Sequence, residues 1–135
     1  MRVVLDANVV ASGVIWRGES YLCLVRLARR QFMAFATSET LEETHEITAR
    51  LIREKSPQHD ASTLLGWYLE TVRRVEPLPL GKQRSRDKTD DAYLACALAA
   101  GAAFVVTYDR DLLTLGKPFG IEVLRPAGFL RRLVG

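Results

Sequence analysis

Short apolar runs alternate along the chain with longer segments in which apolar residues return every three or four positions, the pattern of strands interleaved with amphipathic helices. Arg2 to Asp6 reads as a first strand, apolar without alternation until an acid ends it, as expected of a strand covered on both faces. A short helix over Asn8–Trp16 stops near Arg17-Gly18. Ser20–Arg30 carries a second helix, with Leu22, Val25, Leu27 and Ala28 as its apolar face, and Phe32–Ala36 a second strand. Thr37-Ser38 can cap the next helix, which points Leu41, Ile47, Leu51 and Ile52 inward and fades around Lys55-Ser56-Pro57. Asp60–Arg74 is helical through Leu64, Leu65, Tyr68, Leu69 and Val72, although Gly66 weakens it, and Val75–Leu78 is a brief strand. Pro79–Lys88 is the one long polar segment, a surface loop that ends at a helix beginning near Thr89. Ala92–Ala100 is alanine-rich and slim, so it can lie close to a neighbour. Phe104–Thr107 and Ile121–Leu124 are further strands, Asp111–Leu115 a helical turn and Pro126–Leu133 a closing helix. The predicted fold class is α/β: one domain over residues 1–135, with a mainly parallel sheet flanked by helices on both faces.

Composition narrows the function classes. The 135 residues suffice for one core and are few for two, and a net charge of +3 is too mild for a basic tail or a nucleic-acid coat protein. No apolar run approaches the roughly 20 residues of a membrane span, so the expected protein is soluble and cytoplasmic, with no membrane partner. Cys23 and Cys96 lack zinc-type spacing and read as buried small hydrophobes. His45 and His59 sit on polar surfaces far apart in sequence, which argues against zinc or a histidine triad. No glycine-rich phosphate loop occurs; Gly101 reads as a helix C-cap and Gly128 as a turn residue.

The acids carry the candidate chemistry. Asp6 ends the first strand, Asp109 follows the Phe104 strand, and Asp90 with Asp91 opens the alanine-rich helix. In open parallel sheets the carboxyl ends of the strands share one crevice, where a helix N-terminus can join them. Each acid alone is explained by helix capping. Together they repel unless protonated or bridged by a cation, and a hard ion held through a few oxygens suits Mg2+ or Mn2+.

At these residues the chain resembles the PIN-domain family, and most closely the VapC-like toxin components of toxin-antitoxin pairs, over nearly its whole length. Val4-Leu5-Asp6-Ala7-Asn8-Val9 is similar to the family's opening hydrophobic-Asp-x-Asn strand end, whose Asp is a metal ligand. Thr37-Ser38-Glu39-Thr40-Leu41-Glu42-Glu43 resembles a second motif, in which a Ser or Thr precedes the site acid by six residues, matching Glu43. Arg86 to Ala95 is similar to the third motif, and Val106-Thr107-Tyr108-Asp109-Arg110-Asp111-Leu112-Leu113 to the fourth. Two positions depart from the pattern: Lys88 stands where a Pro is common, and Thr44 where a leucine is usual. The Asp-Ala-Tyr-Leu-Ala spacing favours Asp91 as the ligand, whereas relatives with Asp-Asn there would assign Asp90.

The resemblance implies a metal-dependent endoribonuclease in which Asp6, Asp91 (or Asp90) and Asp109 hold Mg2+ or Mn2+ and Glu43 binds a second ion through water or orients the attacking water. Asn8 and Thr107 have side chains able to position carboxylates, and Asp111 is either an extra site acid or the start of a turn. Asp87 reads as loop structure or an ion-pair partner, and Glu42 and Glu46 as solvated charges. Arg84, Arg86, Lys88 and Arg110 flank the crevice and can hold an RNA backbone, or form an ordinary solvated face. The implied partners are an RNA substrate, a small antitoxin protein and a second copy of the chain as a homodimer, the last through apolar positions around Leu64–Val72. Two other readings stay open: an inactive PIN scaffold that binds RNA or protein, and a hydrolase or receiver phosphorylated on an aspartate.

Overall fold

β1 (Arg2–Leu5) lies in the middle of a five-stranded sheet of order β3-β2-β1-β4-β5, in which every pairing is parallel. The computed structural model describes residues 1–133, and the predicted domain end at 135 lies outside them. The remaining strands are β2 (Met33–Ala36), β3 (Arg73–Arg74), β4 (Phe104–Val106) and β5 (Glu122–Leu124). Around them run α1 (Ala7–Ile15), α2 (Glu19–Ala28), α3 (Ser38–Lys55), α4 (Ala61–Thr71), α5 (Asp91–Ala100), α6 (Arg110–Leu113) and α7 (Pro126–Arg132). The molecule is the single α/β domain that the pattern predicts.

Because side chains alternate across a strand, each strand feeds two cores. Val3 and Leu5 of β1, with Phe104 and Val106 of β4, enter one with Val9, Val10 and Val14 of α1, Leu24 and Leu27 of α2, Tyr68 of α4 and Phe129 of α7. Val4 and Val105 enter the other with Leu94, Cys96, Ala97 and Ala100 of α5. Strands covered on both sides have no room for a polar alternation, hence their unbroken apolar spelling. Cys23 and Cys96 are both fully buried, and burial pushes each thiol up to about 12, so they pack as inert small hydrophobes.

The structure corrects four local expectations. In α2 the buried stripe is Ser20, Cys23, Leu24 and Leu27, an i, i+3, i+4, i+7 row, while Leu22 and Ala28 face solvent. The two small residues admit close approach: a Cβ on Gly13 of α1 would stand 2.9 Å from the Ser20 carbonyl oxygen. The third strand is Arg73–Arg74 rather than Val75–Leu78; Val75 gives a last bond to the Ala36 carbonyl at 2.9 Å, and the chain then leaves the sheet at Pro77 and Pro79. Gly128 lies inside α7 instead of in a turn. α1 begins at Ala7 rather than Asn8, with Asp6 at its N-cap position. Gly101 does end α5 in the left-handed region (φ 63°). No helix among the described residues is long and apolar enough to cross a membrane.

Candidate metal and active site

The register of β1 and β4 sets Leu5 opposite Val106, so the next residue of each strand, Asp6 and Thr107, emerges beside the other at the carboxyl edge of the sheet. The Asp6 N–H donates to the Val106 carbonyl at 2.9 Å, and the Thr107 hydroxyl donates to Asp6 Oδ2 at 2.6 Å. Both side chains are buried. Here the chain order reverses, with β2 and β3 on one side and β4 and β5 on the other, which is where an open sheet forms its crevice.

The other acids reach the same place from three directions. After β4, the Asp109 N–H donates to Thr107 Oγ1 at 2.9 Å, while Asp109 Oδ1 accepts from the Asp111 N–H at 2.8 Å to start α6. Thr37 caps α3, exchanging bonds with Thr40, and the helix presents Glu43 to the crevice. Tyr93 of α5, buried, donates its hydroxyl hydrogen to Glu43 Oε1 and accepts from the Ala7 N–H at 3.3 Å. A 3-10 turn, Lys88–Asp90, carries Asp90 to the mouth of α5. Oxygens of Asp87, Asp90 and Asp109 all lie within 4.8 Å of one another.

This arrangement separates the adjacent aspartates. Asp91 turns away, its two oxygens accepting the main-chain N–H groups of Arg84 at 2.8 Å and Ser85 at 2.7 Å, so it ties the preceding loop to α5. Asp90 faces the acids. The expectation that favoured Asp91 as the residue in the crevice is therefore reversed: at a helix mouth successive side chains point in different directions, and the loop amides claim the second carboxylate. Asp87, read from sequence as loop structure, does cap the 3-10 turn through Thr89 (3.0 Å to its N–H, 2.8 Å to its hydroxyl) but also joins the acid cluster. The sequence signal for it was present, an Asp three residues before Asp90, and its capping role masked it.

The remaining predicted residues divide in the same way. Asn8 is exposed and meets Asp6 through its main-chain N–H. Asp111 contributes its N–H to Asp109, and its carboxylate lies outside the group formed by Asp87, Asp90 and Asp109. Arg84 contacts the protein, with Nη2 on the Leu80 carbonyl at 3.0 Å and its guanidinium 4.8 Å from the Phe119 ring centre. Arg86, Lys88 and Arg110 are exposed. Glu42 and Glu46 are solvated as expected, and Thr44 returns its hydroxyl to the Thr40 carbonyl at 2.8 Å. His45 and His59 stay away from the acids; His59 Nε2 meets the Val14 carbonyl at 2.7 Å.

Electrostatics follow from this crowding. Burial, and then the neighbouring Asp109, Asp87 and Asp6, push the Asp90 carboxyl up to about 7. Burial also raises Asp6; the Thr107 hydroxyl opposes this, and Glu43 and Asp109 add to it. The ion pairs among the described residues lie elsewhere, Arg50 with Glu54 and Lys117 and Arg132 with Glu122, so no basic side chain neutralises the cluster. An all-oxygen donor set in which burial and neighbouring acids raise Asp90 and Asp6 fits a hard divalent cation.

An open α/β sheet with converging acids at its reversal point defines a class, and the family comparison gives it a name. The model of the PIN domain matches residues 2–111, and the chain belongs to the PIN-domain family. PIN domains are typically metal-dependent nucleases, and this acidic cluster is consistent with such an active site. No curated protein matches the chain.

Proposed function

We propose that the protein is a Mg2+- or Mn2+-dependent endoribonuclease, the toxin of a toxin-antitoxin pair. The observation that carries this reading is the cluster of Asp87, Asp90 and Asp109 oxygens within 4.8 Å, with Asp6 and Glu43 adjoining and, among the described residues, no ion pair to any of them. Asp90 and Asp109, with Asp87 and Asp6 beside them, would hold the ion. When bound, the ion supplies positive charge for the phosphoryl oxygens and acidifies water for attack. Glu43, held by the Tyr93 hydroxyl, orients the attacking water and takes its proton as the new oxygen–phosphorus bond forms and the bond to the departing sugar oxygen breaks. Thr107 fixes the Asp6 carboxylate in one rotamer, which keeps a donor oxygen aimed at the crevice. Arg86, Lys88 and Arg110 are exposed near these acids and attract the RNA backbone toward a pocket that would otherwise repel it.

The test is cleavage of single-stranded RNA by the purified protein with Mg2+ or Mn2+. Activity should vanish with chelator and fall by at least about 100-fold in Asp6→Asn, as for loss of a group that acts on charge in the transition state. An intact substrate under all metal conditions overturns the nuclease reading and leaves an inactive PIN scaffold that binds RNA or protein. For the toxin role, expression of the chain alone should arrest growth and co-expression of the neighbouring reading frame should restore it; unaltered growth with the chain alone rejects that role.

A further inference from the structure

We propose that Tyr108 is a stacking platform for a base of the RNA whose backbone crosses the acidic crevice, an assignment that rests on the nuclease reading for the path of the strand. Tyr108 occupies the position between Thr107 and Asp109, two residues tied to the acid site by their own side chains. Tyr108 is 39% exposed, although the residue before it is fully buried. Its hydroxyl shares a hydrogen bond of 2.6 Å with the hydroxyl of Ser20, which is 2% exposed at the start of α2.

That bond is built from the interior. Gly13 lets α2 lie so close to α1 that any Cβ there would stand 2.9 Å from the Ser20 carbonyl oxygen, and this contact fixes the first turn of α2. Ser20 in turn fixes the far end of the Tyr108 side chain, while its near end lies between Thr107, whose N–H donates to the Leu124 carbonyl, and Asp109, whose N–H donates to Thr107 Oγ1. The result is an exposed aromatic face with both ends anchored, which loses little freedom when a base is laid on it. Charge makes such a face useful here. The acids repel phosphate, so a strand entering the crevice gains little from the pocket itself, and base stacking is an attraction indifferent to that charge and to base identity.

The experiment uses the full-length protein carrying Asp6→Asn, so that RNA persists, and short single-stranded oligonucleotides with one 2-aminopurine, whose fluorescence is quenched on stacking. Tyr108→Ala should weaken binding by about 5- to 150-fold and abolish the quench, whereas Tyr108→Phe, which keeps the ring and loses only the Ser20 anchor, should bind between the parent and the Ala variant and keep the quench. In the otherwise wild-type protein, Tyr108→Ala should raise KM for cleavage and leave kcat nearly unchanged. Equal binding by the Ala and Phe variants, or an oligonucleotide with no quench at any position, overturns the proposal. Quenching that depends on Tyr108 in a wild-type protein that cuts no RNA upholds the platform and removes the nuclease reading alone.

Discussion

Asp90 and Asp91 are chemically identical neighbours with opposite assignments, and the difference lies only in what each carboxylate meets. Asp91 accepts two main-chain N–H groups of the loop before α5, whereas Asp90 has acids around it and only the Ser85 hydroxyl, 3.5 Å away, as a donor. Asp90→Ala should therefore reduce Mn2+ affinity by at least about 10-fold, since it removes a charged donor oxygen, while Asp91→Ala should act on stability. Losing the Asp91 acceptor leaves two loop amides to find water, a cost of about 1–3 kcal/mol. Calorimetric Mn2+ titration alongside urea unfolding of both variants reads the two effects separately. The reverse pattern would return Asp91 to the ligand set.

At the scale of elements, the site depends on helices brought close by small residues and capped by threonines. α1 and α2 approach through Gly13, and α3 starts at the reciprocal Thr37–Thr40 cap, six residues before Glu43. Gly13→Ala is accordingly not a helix-improving substitution, although alanine has the better propensity. Its methyl would press on the Ser20 carbonyl and the Leu24 side chain, each at 2.9 Å, and a carbonyl cannot rotate away. The variant should lose about 1–3 kcal/mol in urea unfolding, the usual penalty of overpacking. A gain in stability would show that α2 shifts freely along α1.

For the whole molecule, the acid cluster is a source of instability that a bound cation would remove. Asp90 and Asp6 are both raised above their ordinary carboxyl values. The folded protein thus holds these protons more tightly than the unfolded chain does. Their stabilising effect is complete below about pH 4, where both states are protonated, and it declines as pH rises through the folded-state value of about 7 for Asp90. Metal-free protein should melt at a lower temperature at pH 8 than at pH 5.5, as far as these groups are concerned. Mn2+ should raise Tm far more at pH 8, where it no longer competes with protons. Thermal scans in chelator and in Mn2+ at the two pH values check this, and an equal metal effect at both would mean that the cluster is not the binding site. Asp90→Asn should flatten the metal-free difference.

The order of strands and helices was legible in the amino-acid sequence because burial on both faces forces unbroken apolar strands, and one-sided packing forces helical periodicity. So were three of the acids, since Asp6, Asp90 and Asp109 each stand where a strand ends or a helix begins, whereas Glu43, inside α3, was marked only by the resemblance. What the sequence left open depends on direction in space. Side chains one residue apart leave a helix mouth at different angles, so Asp90 enters the crevice while Asp91 holds a loop. The buried stripe of α2 was hidden because hydrophobicity ranks Leu22 above Ser20, whereas it is the Ser20 backbone that lies against Gly13. Asp87 and Tyr108 gained their places from the convergence of segments distant in sequence. Local pattern records what each element must bury; only the packed molecule decides which atoms face one another.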